Sequence, residues 1–248
     1  MKKVMLITTT CITYSIWALC VPPLMLVCAL LALLPSPFRY DNRLYFVVST
    51  LISHLIMRAT GVKYAISGRE NLPRYPHQPA IIIMNHSSAL DIPMTEVVVG
   101  TYPHVWLSKA TYSKVPVLGF LLKRMHVLVD TKTYKDACSA LLKTHNLLKN
   151  SSRHALFFPE GTRSVDGKLG SFSPGFVLLA KKLNRPIIPV VIEGIHKVYP
   201  KNSFLIDSLS ANVKIIIGKP LYCPATMSPD EFATMVRCHF ENILNQLS

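Results

Sequence analysis

A chain of 248 residues with half its residues apolar and 16% charged is too hydrophobic for a disordered protein, and it suits one globular domain with an appendage. Lys+Arg number 27 against 13 Asp+Glu, a formal charge of +14. That excess implies an acidic partner, either nucleic acid or an anionic membrane surface.

The first predicted element favours the membrane. Val4 to Phe38 contains no charged residue, with Lys2 and Lys3 before it and Arg39, Asp41 and Arg43 after it. These 35 residues exceed the roughly 20 of one helical span but fall short of two spans and a turn. Pro22-Pro23 predicts a break or sharp kink near the middle. A kinked span, a re-entrant hairpin and a cleaved signal peptide compete. The run is longer than a signal peptide's apolar core, about 7–15 residues. Basic residues at both ends favour the hairpin, with both ends on the cytoplasmic side. Leu44–Met57 is too short to span, and is expected at the membrane interface or packed on the folded domain. The expected division is a hydrophobic membrane-anchoring segment at 1–58 and a folded domain at 59–248. Cys11, Cys20, Cys28, Cys138, Cys223 and Cys238 form no C-x-x-C pair, which argues against a zinc or redox site and fits a reducing compartment. There is no internal repeat and no low-complexity linker.

Beyond residue 60, short apolar runs alternate with helical stretches. Strands are predicted at Val62–Ser67, Ala80–Asn85, Val105–Ser108, His126–Val129, Ala155–Phe158, Ile187–Ile192 and Val213–Gly218. Ile81-Ile82-Ile83 and Ile215-Ile216-Ile217 are continuously apolar and β-branched, as strands covered on both faces are. Thr133–Lys149 reads as a helix with Ala137, Leu141, Thr144 and Leu148 on one face. Pro174–Leu183 reads as a second. A last helix starts at Ser228-Pro229 with Glu231 completing a capping box, and carries the stripe Phe232, Val236, Phe240, Ile243 and Leu247. The alternation predicts an α/β fold, a largely parallel sheet flanked by helices. Ligands gather at the carboxyl ends of strands in such sheets.

Two segments follow predicted strands and carry chemistry. In Asn85-His86-Ser87-Ser88-Ala89-Leu90-Asp91, Ser87 or Ser88 is expected to cap a helix entered at Ala89, with Asp91 about one turn in. The Asp91 carboxylate can then fix the His86 tautomer and leave the other nitrogen to take a proton from a hydroxyl. No G-x-S-x-G elbow supplies a serine nucleophile, and no H-E-x-x-H or Cys/His cluster supports a metal. The second segment is Phe158-Pro159-Glu160-Gly161-Thr162-Arg163-Ser164-Val165-Asp166. Arg163 offers a planar charged fork for phosphate oxygens, Thr162 adds donors, and Gly161 frees the backbone. Glu160 is expected to hold Arg163 or to bond a substrate hydroxyl. Gly161 and Gly167-Lys168 do not have P-loop spacing, which excludes a nucleotide triphosphatase.

Together these segments resemble the glycerolipid acyltransferase family, typified by lysophosphatidic acid acyltransferases, whose signatures N-H-x-x-x-x-D and F-P-E-G-T-R-S are both intact here. Lys109 to Gly119 is similar to the family's lysine-to-P-x-x-G block, and Ile187 to Gly194 to its late apolar strand; the likeness spans about residues 60–220. Thr111-Tyr112 and Val129-Asp130 depart from the common Glu-Leu and Arg-Asp, and bear on acceptor and chain length rather than on the reaction.

The resemblance implies acyl transfer from acyl-CoA or acyl-carrier protein to the free hydroxyl of lysophosphatidic acid. His86 would be the general base and Asp91 its orienter. Glu160, Gly161, Thr162 and Arg163 would bind the glycerol phosphate, and Lys109 would assist the oxyanion. No metal and no redox cofactor is implied, and the expected place is a membrane, with the catalytic domain on its cytoplasmic face. Another lysophospholipid or an acyl-amino-acid lipid as acceptor, and a non-catalytic lipid-binding protein, are the competing readings. No nucleic-acid-binding motif is present.

Overall fold

A computed structural model describes residues 2–36, 38–73, 77–130, 133–208 and 212–247. The core is a seven-stranded sheet of β1 (Tyr64–Ser67), β2 (Ile81–Met84), β3 (His104–Lys109), β4 (Val127–Val129), β5 (His154–Phe157), β6 (Ile187–Glu193) and β7 (Val213–Ile217). The strand order is β1-β7-β6-β2-β5-β3-β4. Every pairing is parallel except β6 with β7. All seven strands lie where the apolar runs predict them, within two residues at each end.

The side-chain period of two explains why these runs are apolar throughout. Ile82, Met84, Leu156, Ile188 and Val190 enter one core layer, while Ile81, Ile83, Ala155, Phe157, Ile187 and Val191 enter the other. Helix α3 (Asp91–Val99) covers the first layer. The second is covered by α5 (Tyr134–Leu148), α6 (Gly175–Leu183) and α8 (Pro229–Leu247), which follow α4 (Leu118–Met125) and flank the short α7 (Ile195–Val198). In α5, Thr144 and Leu148 of the predicted face are buried, Ala137 and Leu141 are half-buried, and Ala140, outside the predicted set, is buried with them. The capping box of α8 forms: Ser228 N–H donates to Glu231 Oε2 at 2.9 Å and Glu231 N–H to Ser228 Oγ at 3.2 Å.

The N-terminus differs from the sequence expectation. Val4–Phe38 does not fold back on itself: α1 (Lys2–Ala32) runs through Pro22 and Pro23 as one helix. The hairpin forms with the next element, α2 (Arg43–Thr60), capped by Asn42 Oδ1 at its start and by Gly61, φ 69°, at its end. Thr13 Oγ1 donates to Ala59 O at 2.8 Å and Trp17 Nε1 to Ile56 O at 3.2 Å. Cys28 lies against Tyr45. Residue numbers rise along one helix as they fall along the other, so the two are antiparallel. These lateral contacts hold α1 together where the prolines remove internal donors.

Helix α1 also lies along the domain. Near its start, Thr10 Oγ1 accepts from Ile206 N–H at 3.0 Å. Beyond its end, the Arg124 guanidinium of α4 donates to the carbonyls of Ala32, Leu33 and Leu34. Its outward face exposes Met5, Ile12, Leu19 and Leu26, spaced seven residues apart, and exposed Leu33 follows just past its end. This is the single described helix long and apolar enough to cross a membrane. All six cysteines are free.

Candidate active site

Both motif segments leave the carboxyl edge of neighbouring strands. Ile83 of β2 stands beside Phe157 of β5, and β3, which ends at Lys109, flanks β5 on the other side. Asn85 extends the β2–β6 ladder with its side chain: Nδ2–H donates to Ile192 O and Oδ1 accepts from Ile192 N–H, both at 2.8 Å. His86 is thereby delivered just past the sheet.

The turn that follows departs from the expected serine cap. The helix begins at Asp91, not Ala89, so the carboxylate sits at the helix start rather than a turn inside. Asp91 itself closes the turn. Its Oδ2 accepts from Ser87 N–H at 2.6 Å, Ser88 N–H at 2.7 Å and His86 Nδ1–H at 2.9 Å. A carboxylate outcompetes a hydroxyl for this place because charged acceptors bond N–H groups more strongly and favour a helix N-terminus. Ser88 Oγ accepts from Leu90 N–H and donates to Tyr199 O at 2.7 Å. With Nδ1 holding its proton toward a fully buried carboxylate, Nε2 of His86 is the basic nitrogen. It has no hydrogen-bond partner among the described residues, and the side chain is 13% exposed.

The second loop is bound to this turn through the main chain. His86 N–H donates to Glu160 Oε1 at 2.7 Å, and Ser164 N–H donates to His86 O at 2.8 Å. Glu160 Oε2 accepts Gly170 N–H at 2.8 Å. Glu160 therefore does not hold Arg163: each of its oxygens takes a backbone donor. Burial raises its carboxyl above the ordinary value, against the pull of those two N–H groups. Gly161 adopts φ 65°, a conformation costly for other residues, and this turns the chain after Glu160. Gly161 and Thr162 are exposed at the rim and Arg163 is half-buried. Lys109 is also half-buried, at the same edge, but makes no hydrogen bond to either loop among the described residues.

An aromatic stack backs the imidazole. Phe158 lies face to face with His86, centroids 3.9 Å apart, and Trp106 stacks behind Phe158 at 5.3 Å. Trp106 Nε1–H donates to Glu96 Oε1 at 2.7 Å, and His104 Nε2–H donates to the same oxygen at 2.8 Å. Burial alone would push Glu96 up and His104 down. Their mutual attraction reverses both, so the Glu96 carboxyl stands below and the His104 imidazole above its ordinary value.

The sequence reading missed Asn85 as a ladder element, the Trp106–Phe158 support, and Tyr199 and Lys201. Tyr199 O holds Ser88, its hydroxyl lies 3.1 Å from that of Tyr14 on α1, and Lys201 Nζ donates to Arg163 O at 2.7 Å. Phe158 heads the second motif, and its aromatic character was the available signal; nothing local marks residues 199 and 201.

A histidine oriented by a carboxylate, open on its second nitrogen, can accept a proton from an alcohol held beside a basic loop. Comparisons with known proteins find acyltransferases. The chain is 32% identical over 188 residues to the 1-acyl-sn-glycerol-3-phosphate acyltransferase BAT2, chloroplastic, of Brassica napus, covering 74% of this chain and 52% of that protein. It is 26% identical over 192 residues to the human 1-acyl-sn-glycerol-3-phosphate acyltransferase alpha, covering 76% and 66%. The chain thus spans about half the length of the Brassica relative. The crystal structure of the 1-acyl-sn-glycerophosphate (LPA) acyltransferase PlsC from Thermotoga maritima has the same fold, with a TM-score of 0.79 at 23% identity over 100% of this chain and 98% of that one. Residues 63–193, more than half of the chain and enclosing both motifs, match the family described as Acyltransferase, and the chain belongs to that family.

Proposed function

We propose that this protein transfers an acyl group from a thioester, acyl-CoA or acyl-carrier protein, to the free hydroxyl of lysophosphatidic acid, giving phosphatidic acid. The observation that carries the proposal is the pair of hydrogen bonds between the His86 turn and the Arg163 loop, His86 N–H to the Glu160 carboxylate at 2.7 Å and Ser164 N–H to His86 O at 2.8 Å. Two loops held in contact support a base and an anion site that serve one glycerol phosphate. Arg163, Thr162 and the amides around Gly161 bind the acceptor's phosphate and glycerol. His86 Nε2 removes the proton of the hydroxyl as its oxygen attacks the thioester carbonyl. Asp91 stabilises the imidazolium that forms. Lys109 steadies the oxyanion; the carbon–sulfur bond then breaks, and the imidazolium returns its proton to the leaving thiolate. Direct attack by the acceptor requires no covalent enzyme intermediate and no cofactor beyond the thioester. Glu160 serves the acceptor site by fixing the two loops.

The same reading assigns residues 1–58 to membrane anchoring and 59–248 to catalysis. The heptad-spaced apolar face of α1 and exposed Tyr112, Val115, Val117 and Phe120 support an association with the lipid in which both substrates dissolve. The net charge of +14 suits the anionic cytoplasmic leaflet and supports a cytoplasmic active face. The test is an assay of purified protein with labelled acyl-CoA and a set of lysolipids, the products resolved by mass. Phosphatidic acid as the dominant product is expected. Faster acylation of another lysolipid would move the acceptor assignment, and tight lysolipid binding without product would reject catalysis.

A further inference from the structure

Lys201 lies in the segment after α7 that touches both motif loops. Its ammonium donates to Arg163 O at 2.7 Å, while Tyr199 O accepts the Ser88 hydroxyl at the same distance. A backbone carbonyl needs only a neutral donor, so the positive charge calls for another explanation. The Lys201 side chain is half-buried beside the loop that carries Arg163, itself half-buried. Among the described residues, no carboxylate comes within 4 Å of either cation. Glu160, the acidic residue of the loop, has both oxygens occupied by the N–H groups of His86 and Gly170.

The carbonyl takes one of the three donors of the ammonium and leaves two. A phosphate esterified once carries about −1.5 to −2 at neutral pH, whereas a diester keeps one negative charge. An ammonium bonded to the main chain of Arg163, together with the Arg163 guanidinium, supplies two positive charges from one loop and suits the former. We propose that Lys201 is a second phosphate-binding residue which, with Arg163, selects acceptors whose headgroup is a phosphomonoester over those whose phosphate is esterified on both sides. The proposal rests on the function argued above.

The experiment uses the full chain in detergent micelles with acyl-CoA. KM is measured for lysophosphatidic acid, and lysophosphatidylglycerol is measured as substrate or as competitive inhibitor. Lys201→Gln keeps a donor for the Arg163 carbonyl but removes the charge. It is expected to raise the KM for lysophosphatidic acid about tenfold or more, the effect of losing one charged hydrogen bond. The constant for the diester and kcat should move less than about threefold, and Lys201→Arg should restore selectivity. Equal weakening for both lysolipids would show that Lys201 only braces the loop and would overturn the proposal, as would an unchanged KM in Lys201→Gln. Wild-type protein that does not acylate lysophosphatidic acid would overturn the acceptor assignment itself, and the role of Lys201 with it.

Discussion

Glu160 accepts the backbone N–H of His86 at 2.7 Å, across 74 residues of sequence. The carboxylate that the sequence offers to a substrate is the brace between the two halves of the site. Its second oxygen is held by Gly170, so both ends of the loop are pinned by one side chain.

Glu160→Gln retains one acceptor and turns an NH2 group toward a backbone donor. Losing one charged hydrogen bond corresponds to a fall in kcat/KM of about 10–100-fold if the loops drift apart. Steady-state kinetics at saturating thioester measure this. An unchanged value would show that Ser164 N–H on His86 O suffices to keep the loops in register.

Asp91→Asn separates orientation from binding. Asparagine can still accept from Ser87 and Ser88 but favours the wrong imidazole tautomer. The expected result is a kcat lower by about 10⁴-fold, with the acceptor KM within about threefold and the circular dichroism spectrum unchanged. Comparable losses in kcat and acceptor KM would instead mean that the turn itself had collapsed.

Much of this arrangement was legible in the sequence, and its failures have physical causes. The seven strands were legible because Ile, Val and Phe runs covered on both faces leave little ambiguity. His86 and Asp91 were legible because they lie on one turn. The course of α1 was not, since the local rule for Pro22-Pro23 is outweighed by contacts from Thr13, Trp17 and Cys28 to α2. The bracing bonds of Glu160 were not legible because its partners, His86 N–H and Gly170 N–H, lie elsewhere in the chain and carry no side-chain signal. Lys201 reaches Arg163 only after the chain has passed through β6 and α7.

The outward face of α1 offers a membrane test. Leu19 and Leu26 are 76% and 57% exposed. Replacing both with Glu should weaken binding to anionic vesicles by at least about tenfold, since a charge at the centre of an apolar helix costs roughly 2.5–3.5 kcal/mol on insertion. Vesicle flotation reports it. Full retention on the vesicles would place the membrane contact elsewhere.

His154 predicts the acid limit of stability. It is buried, and its Nδ1 accepts the Ala80 N–H at 3.0 Å. Burial first, then the charges of His104 and Arg185, push its pKa down to about 3. The unfolded chain therefore takes up a proton below about pH 6.5 that the folded chain refuses, and stability falls as pH drops from there toward 3. The contribution lost by pH 5 is about 2 kcal/mol. Urea unfolding in detergent at pH 7 and pH 5 measures it, and His154→Gln should remove about 2 kcal/mol of the difference while leaving the share of His126, whose pKa burial also pushes down to about 3.

The central claim is that the imidazole of His86 takes the proton of the acceptor hydroxyl. The most direct test is the turnover of lysophosphatidic acid by His86→Ala under saturating acyl-CoA, with folding checked by circular dichroism. The account predicts a kcat lower by about 10²–10⁴-fold, the usual contribution of a positioned general base. A folded His86→Ala protein that turns over at nearly the wild-type rate would contradict it.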